Sequence, residues 1–116
     1  MEIKRREIYE RIYAFSIECI GYVRTFPNTL EANIIAKQLI RSSTSIGANA
    51  EEADGSESKA EFIHRLSIAK KEAKETSYWL RIASDIFNLP TLKLKQEVYE
   101  IILIISTIIA KVKIKK

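Results

Sequence analysis

The stretch Phe62–Phe87, FIHRLSIAKKEAKETSYWLRIASDIF, decides the fold. Within it Phe62, Leu66, Ala69, Ala73, Thr76, Leu80, Ala83 and Phe87 recur at alternating spacings of four and three. That repeat places all eight on one helical face, the seam a helix buries against neighbouring helices. Ser58 and Glu61 stand in front of it as a capping box, two side chains that satisfy orphan amides at a helix start. The spacing predicts a helix over 59–87.

The same pattern extends on both sides. Ile8, Ile12, Phe15, Cys19, Tyr22 and Phe26 form a stripe that stops at Pro27, predicting a helix over 3–25. Asn28 and Glu31 resemble a second capping box, followed by Ile35, Leu39, Ser42, Ile46, Asn49 and Ala53 on a helix over 29–53 that Gly55 and Ser56 end. After the turn Asn88-Leu89-Pro90-Thr91, Pro90 suits a first helical position. Leu94, Val98, Ile101, Ile105, Ile108 and Val112 then form the stripe of a helix over 91–113. Connections this short make consecutive helices antiparallel neighbours. The expected fold is all-α, one up-down-up-down four-helix bundle spanning 1–116, without linker, repeat or second domain.

A chain of 116 residues suffices for one domain that buries roughly two thirds of the surface its unfolded form exposes. Its lone cysteine, Cys19, lies in an apolar stripe and cannot form an intrachain disulfide, which fits a reducing cytoplasm. The charged start, Met1-Glu2-Ile3-Lys4-Arg5-Arg6-Glu7, has no signal-peptide pattern. The apolar run at 101–110, interrupted by Ser106 and Thr107, is too short for a bilayer span of about 20 residues.

A lone bundle needs one apolar stripe per helix, and this chain has more. Ile68, Trp79, Ile82 and Ile86 form a second line on the third helix, and Ile102, Leu103, Ile104 and Ile109 surround the fourth. The surplus predicts a homo-oligomer in which these residues face another subunit.

Catalytic and metal chemistry find little support. Glu61 and His64 have the Glu-x-x-His spacing of di-iron bundles, but His64 is the only histidine, and with Phe62 and Leu66 inward the pair points outward. No nucleophile, base and orienting group converge by pattern, and no phosphate-binding Gly-rich loop follows a strand. The expectation is therefore a non-enzyme with no cofactor and no metal.

The net charge of +4 permits nucleic-acid contact without demanding it. Lys70, Lys71, Lys74 and Arg81 lie on the outward side of the third helix, with Tyr78 as the plausible stacking group and Glu72 and Glu75 interspersed. Antiparallel topology also gathers both termini and the second loop at one end. There Lys4, Arg5, Arg6, Lys111, Lys113, Lys115 and Lys116 make a basic corner beside an acidic one of Glu51, Glu52, Asp54, Glu57 and Glu61. Opposite corners can pair between subunits, or the basic one can hold phosphates.

The segment 41–52, RSSTSIGANAEE, is unusual in a helix because serine, threonine and glycine are mediocre helix formers. Either small side chains allow close helix approach with internally bonded hydroxyls, or Arg41, Ser45 and Asn49, four apart, form a polar ridge for a ligand or subunit. With Gln38-Leu39-Ile40 before it, then Glu61-Phe62-Ile63, Leu66-Ser67-Ile68-Ala69, Glu75 and Leu80, it resembles the 23S rRNA intervening-sequence protein family. One departure is Glu51-Glu52-Ala53-Asp54-Gly55, where the family more often has glycine directly after Ala-Glu. The resemblance implies an up-down bundle assembled as a homopentamer, similar in fold to the accessory proteins of diversity-generating retroelements, and hence binding of RNA or DNA through a basic surface. It marks Arg41, Ser45, Asn49 and Glu51 as motif polar residues without making them a binding site. The alternative is a structural or protein-interaction module with no nucleic-acid role.

Overall fold

The computed structural model describes residues 2–115, with side chains from Arg6 onward. Four helices follow one another: α1 (Glu2–Val23), α2 (Leu30–Asp54), α3 (Lys59–Phe87) and α4 (Leu92–Ile114). Each packs against its sequence neighbours, and α4 closes the ring against α1 across the thinnest of the four seams. The result is an up-down-up-down bundle 51 Å long and 21 by 18 Å across its Cα atoms.

Local chemistry sets the helix ends. The Thr29 hydroxyl accepts from the Ala32 amide at 3.2 Å, so Thr29 caps α2 and not Asn28, the residue the sequence pattern favours. At α3 the Ser58 hydroxyl accepts from the Glu61 amide at 3.1 Å, while the Glu61 carboxylate reaches back to the Glu57 amide at 3.3 Å, one residue beyond a standard capping box. α1 ends at Val23, short of the expected 25, in tight turns that include a bond from the Phe26 amide to the Val23 carbonyl. The proline at 27 disfavours helical backbone just before it. Asn88 terminates α3 at φ 54°, a left-handed conformation that asparagine tolerates. α4 begins only at Leu92, so Pro90 precedes it and does not occupy its first turn.

Phe15, Leu39, Ile46, Leu80, Val98 and Ile101 are fully enclosed in a core contributed by all four helices. Burying a side chain of this kind contributes about 1.5–3 kcal/mol. The stripes match expectation over most of their length but drift near two ends. Ala50 is buried where the strict repeat places Asn49, and Ile109 where it places Ile108. A helix of 3.6 residues per turn slips about 20° per heptad from an exact seven-residue repeat, and α2 and α4 follow their own period. Ile109 is therefore a core residue, a correction to its assignment to the subunit-facing surface.

The serine-rich part of α2 lies against both neighbours. The Ser16 hydroxyl of α1 donates to the Ser43 carbonyl at 3.0 Å, and the Thr76 hydroxyl of α3 lies 2.9 Å from that of Ser42. Gly47 also faces α1: a methyl group there would sit 3.4 Å from Ile12 Cγ2. Small side chains let α2 approach two helices closely while its buried hydroxyls stay hydrogen-bonded.

Candidate functional site

α3 sorts its charged side chains by the helix they face. Glu72 and Glu75 turn toward α2, where Arg41 Nη1 donates to Glu72 at 3.1 Å and Arg41 Nη2 contacts Glu75. The indole N–H of Trp79 donates to the same Glu75 at 2.9 Å. That bond, with help from Arg41, holds the Glu75 carboxyl below the usual carboxylate range. The interspersed acids are thus drawn off the outward face of α3.

What remains outward is basic. Lys71, Lys74, Tyr78 and Arg81 recur at spacings of three, four and three along one exposed line, with half-buried Lys70 beside it. None of these four cations forms an ion pair among the described residues, and neither do Lys95, Lys111, Lys113 and Lys115 on and just beyond α4. Asp85, one turn beyond Arg81, is the acid that shares this side of α3. The carboxylates of α4 turn the other way: Glu97 and Glu100 both accept from Arg11 of α1.

At the end holding the termini, the Lys59 ammonium donates to the Lys115 carbonyl, which fixes the close of α4 near the start of α3. Lys111, Lys113 and Lys115 are exposed there, while Lys116 and the side chains of Lys4 and Arg5 lie outside the described residues. The acidic and basic corners already meet within one chain, since Arg6 pairs with Glu51 at 3.1 Å, and Arg65 of α3 takes up Glu52 at 3.2 Å.

The motif residues have internal partners. Besides the ties of Arg41 to α3 and of Glu51 to Arg6, the Asn49 amide donates to the Ser45 carbonyl at 2.9 Å. His64 is exposed, and no group of three or more His, Cys, Asp or Glu placed to hold a metal ion occurs among the described residues. The Cys19 thiol is fully enclosed, and burial pushes its pKa up to about 12, which leaves it a poor nucleophile. Among the described residues no helix is long and apolar enough to cross a membrane.

Of the apolar surplus, Ile68, Trp79, Ile82, Ile102 and Ile104 are half-buried, and Ile86 and Leu103 are exposed. The structure adds Leu30 and Ile34 on α2, and Tyr13 and Ile17 on α1, to the exposed apolar residues. Those four lie off the core stripes, and each pair stands four residues apart, a helical spacing by which the sequence could have shown them.

Comparison with known proteins agrees with the architecture. A sequence model of the 23S rRNA-intervening sequence protein family matches residues 4–110. A crystal structure of a protein of unknown function from the S23 ribosomal protein family of Bacteroides thetaiotaomicron is similar at 31% identity and a TM-score of 0.82, over 88% of this chain and 97% of that one. No curated protein shows a significant match.

Proposed function

Since this chain belongs to the 23S rRNA-intervening sequence protein family, we propose that it is a non-enzymatic, homo-oligomeric scaffold that binds nucleic acid through the outward face of α3 and the end of α4. One observation carries this reading. Glu72, Glu75, Glu97 and Glu100 are drawn into seams with α2 and α1, while Lys70, Lys71, Lys74, Arg81, Lys95, Lys111, Lys113 and Lys115 form no ion pair among the described residues, Lys71 reaching Glu75 only as a neighbouring charge. Unpaired cations in a row suit a phosphate backbone, which releases counterions when it meets them.

The oligomer rests on apolar residues outside the core that lie clear of the basic face, Trp79, Ile82 and Ile86 on the α2 side of α3 and Ile104 on the α1 side of α4. Sedimentation at micromolar concentration gives a multiple of the chain mass if they join subunits, five by family resemblance, and the monomer mass if they do not. The binding test is a titration of labelled RNA and DNA at rising salt. Affinity falls steeply with salt, and neutralising Lys70, Lys71 and Lys74 together flattens the slope. Salt-independent binding, or none, refutes the reading. A stoichiometric protein partner with no nucleic acid bound supports the interaction module instead.

A further inference from the structure

The face that carries the unpaired cations also carries two exposed tyrosines. Tyr78 on α3 is 58% exposed and Tyr99 on α4 is 62% exposed. Each ring offers open apolar area that a stacked partner can cover. Each has cations within about one helical turn along its own helix: Lys74 and Arg81 around Tyr78, and Lys95 before Tyr99. α3 and α4 are antiparallel and joined only by residues 88–91, so Arg81 and Tyr99, at similar distances from that turn, stand at similar heights. The two tyrosines thus border one basic strip shared by adjacent helices.

Tyr78 is also held in place. Its ring lies edge-on to Trp79, with centroids 5.5 Å apart and planes at 69°. Trp79 is fixed by its bond to Glu75, and Glu75 by Arg41 from α2. A chain of contacts from Arg41 to Tyr78 restricts a ring whose surface stays open, which lowers the entropy lost when something stacks on it.

Cations alone suit any phosphate backbone. Exposed rings between them suit one whose bases are unpaired, because a duplex hides its base faces and a single strand offers them. We propose that the α3–α4 face binds single-stranded nucleic acid, with Lys70, Lys74, Arg81 and Lys95 along the phosphates and bases stacked on Tyr78 and Tyr99. The inference rests on the nucleic-acid reading above and specifies the form of ligand it takes.

The test uses the full chain and a fluorescein-labelled strand of about 20 nucleotides, alone or annealed to its complement. The single strand binds more tightly than the duplex. Tyr78→Ala and Tyr99→Ala each weaken single-strand binding about tenfold, leave duplex binding and the salt slope unchanged, and are rescued by Tyr78→Phe and Tyr99→Phe, which keep the rings. Tyr13→Ala, at an exposed tyrosine on α1, has no effect. Equal affinity for both forms with neutral tyrosine variants overturns the stacking inference, and the nucleic-acid reading survives if lysine neutralisation still flattens the slope. Absence of binding to either form overturns both.

Discussion

Arg11 and Glu97, on the first and last helices, close the bundle. The Arg11 Nε and Nη2 lie 2.6 and 2.8 Å from the two oxygens of the Glu97 carboxylate, and the same guanidinium donates to Glu100 at 2.6 Å. This forked geometry suits arginine, because its planar donors match the two oxygens of a carboxylate. It spans the seam with the least helix contact, where Lys93 and Glu18 add a longer pair at 3.6 Å.

Hydrogen bonds from Arg11 hold the Glu97 carboxyl below the usual carboxylate range, so folding favours its ionised form. The stability this contributes is complete above the unfolded-state pKa and is lost as pH falls through the folded-state value. Glu97→Gln is expected to cost about 1 kcal/mol near neutral pH, with a smaller difference from wild type at a pH well below the usual carboxylate range. Urea unfolding at both pH values checks this, and an equal gap at both removes the ion pair as its source.

Trp79 is the only tryptophan, so its fluorescence reports on the Arg41–Glu75 network without ambiguity. Glu75 stays ionised below the ordinary carboxylate range, and emission is expected to hold steady on acidification until that lowered pKa is reached. Arg41→Ala removes one of the groups that favour the carboxylate and moves the transition to higher pH. An unchanged midpoint in the variant would break the proposed link between these residues.

The Tyr22 hydroxyl is buried without a hydrogen-bond partner among the described residues, while its ring packs edge-on against Phe26 at 5.3 Å. Burial accordingly raises its pKa. A buried polar group left unpaired carries its full desolvation cost. Tyr22→Phe keeps the ring contact and is expected to stabilise the chain by about 1 kcal/mol. A lower urea midpoint for the variant contradicts this account.

Gly47 occupies a helix interior, where glycine is less favourable than alanine by about 1 kcal/mol. An added methyl would meet Ile12 Cγ2 at 3.4 Å, the near edge of ordinary contact. Gly47→Ala is therefore expected to gain about 0.5 kcal/mol, and Gly47→Leu to cost about 1–3 kcal/mol by forcing α1 and α2 apart. Thermal unfolding of both variants distinguishes the signs.

The number of helices, their order and most of their core faces were legible in the sequence. Alternating spacings of three and four, as from Phe62 to Leu80, follow from the pitch of the α-helix and need no tertiary information. Short connections then leave antiparallel packing as the way to bury four such faces together. The basic line Lys71, Lys74 and Arg81 was visible on the same grounds. Tertiary structure decided which charges are free. Glu75 stands in that stretch of sequence, yet Arg41 from 34 residues away draws it toward α2, and no local rule sets the distance between them. Packing also chose Ile109 over Ile108 for the core, because a helix docking on real neighbours keeps its own period of 3.6 residues rather than the seven-residue repeat extrapolated along its sequence.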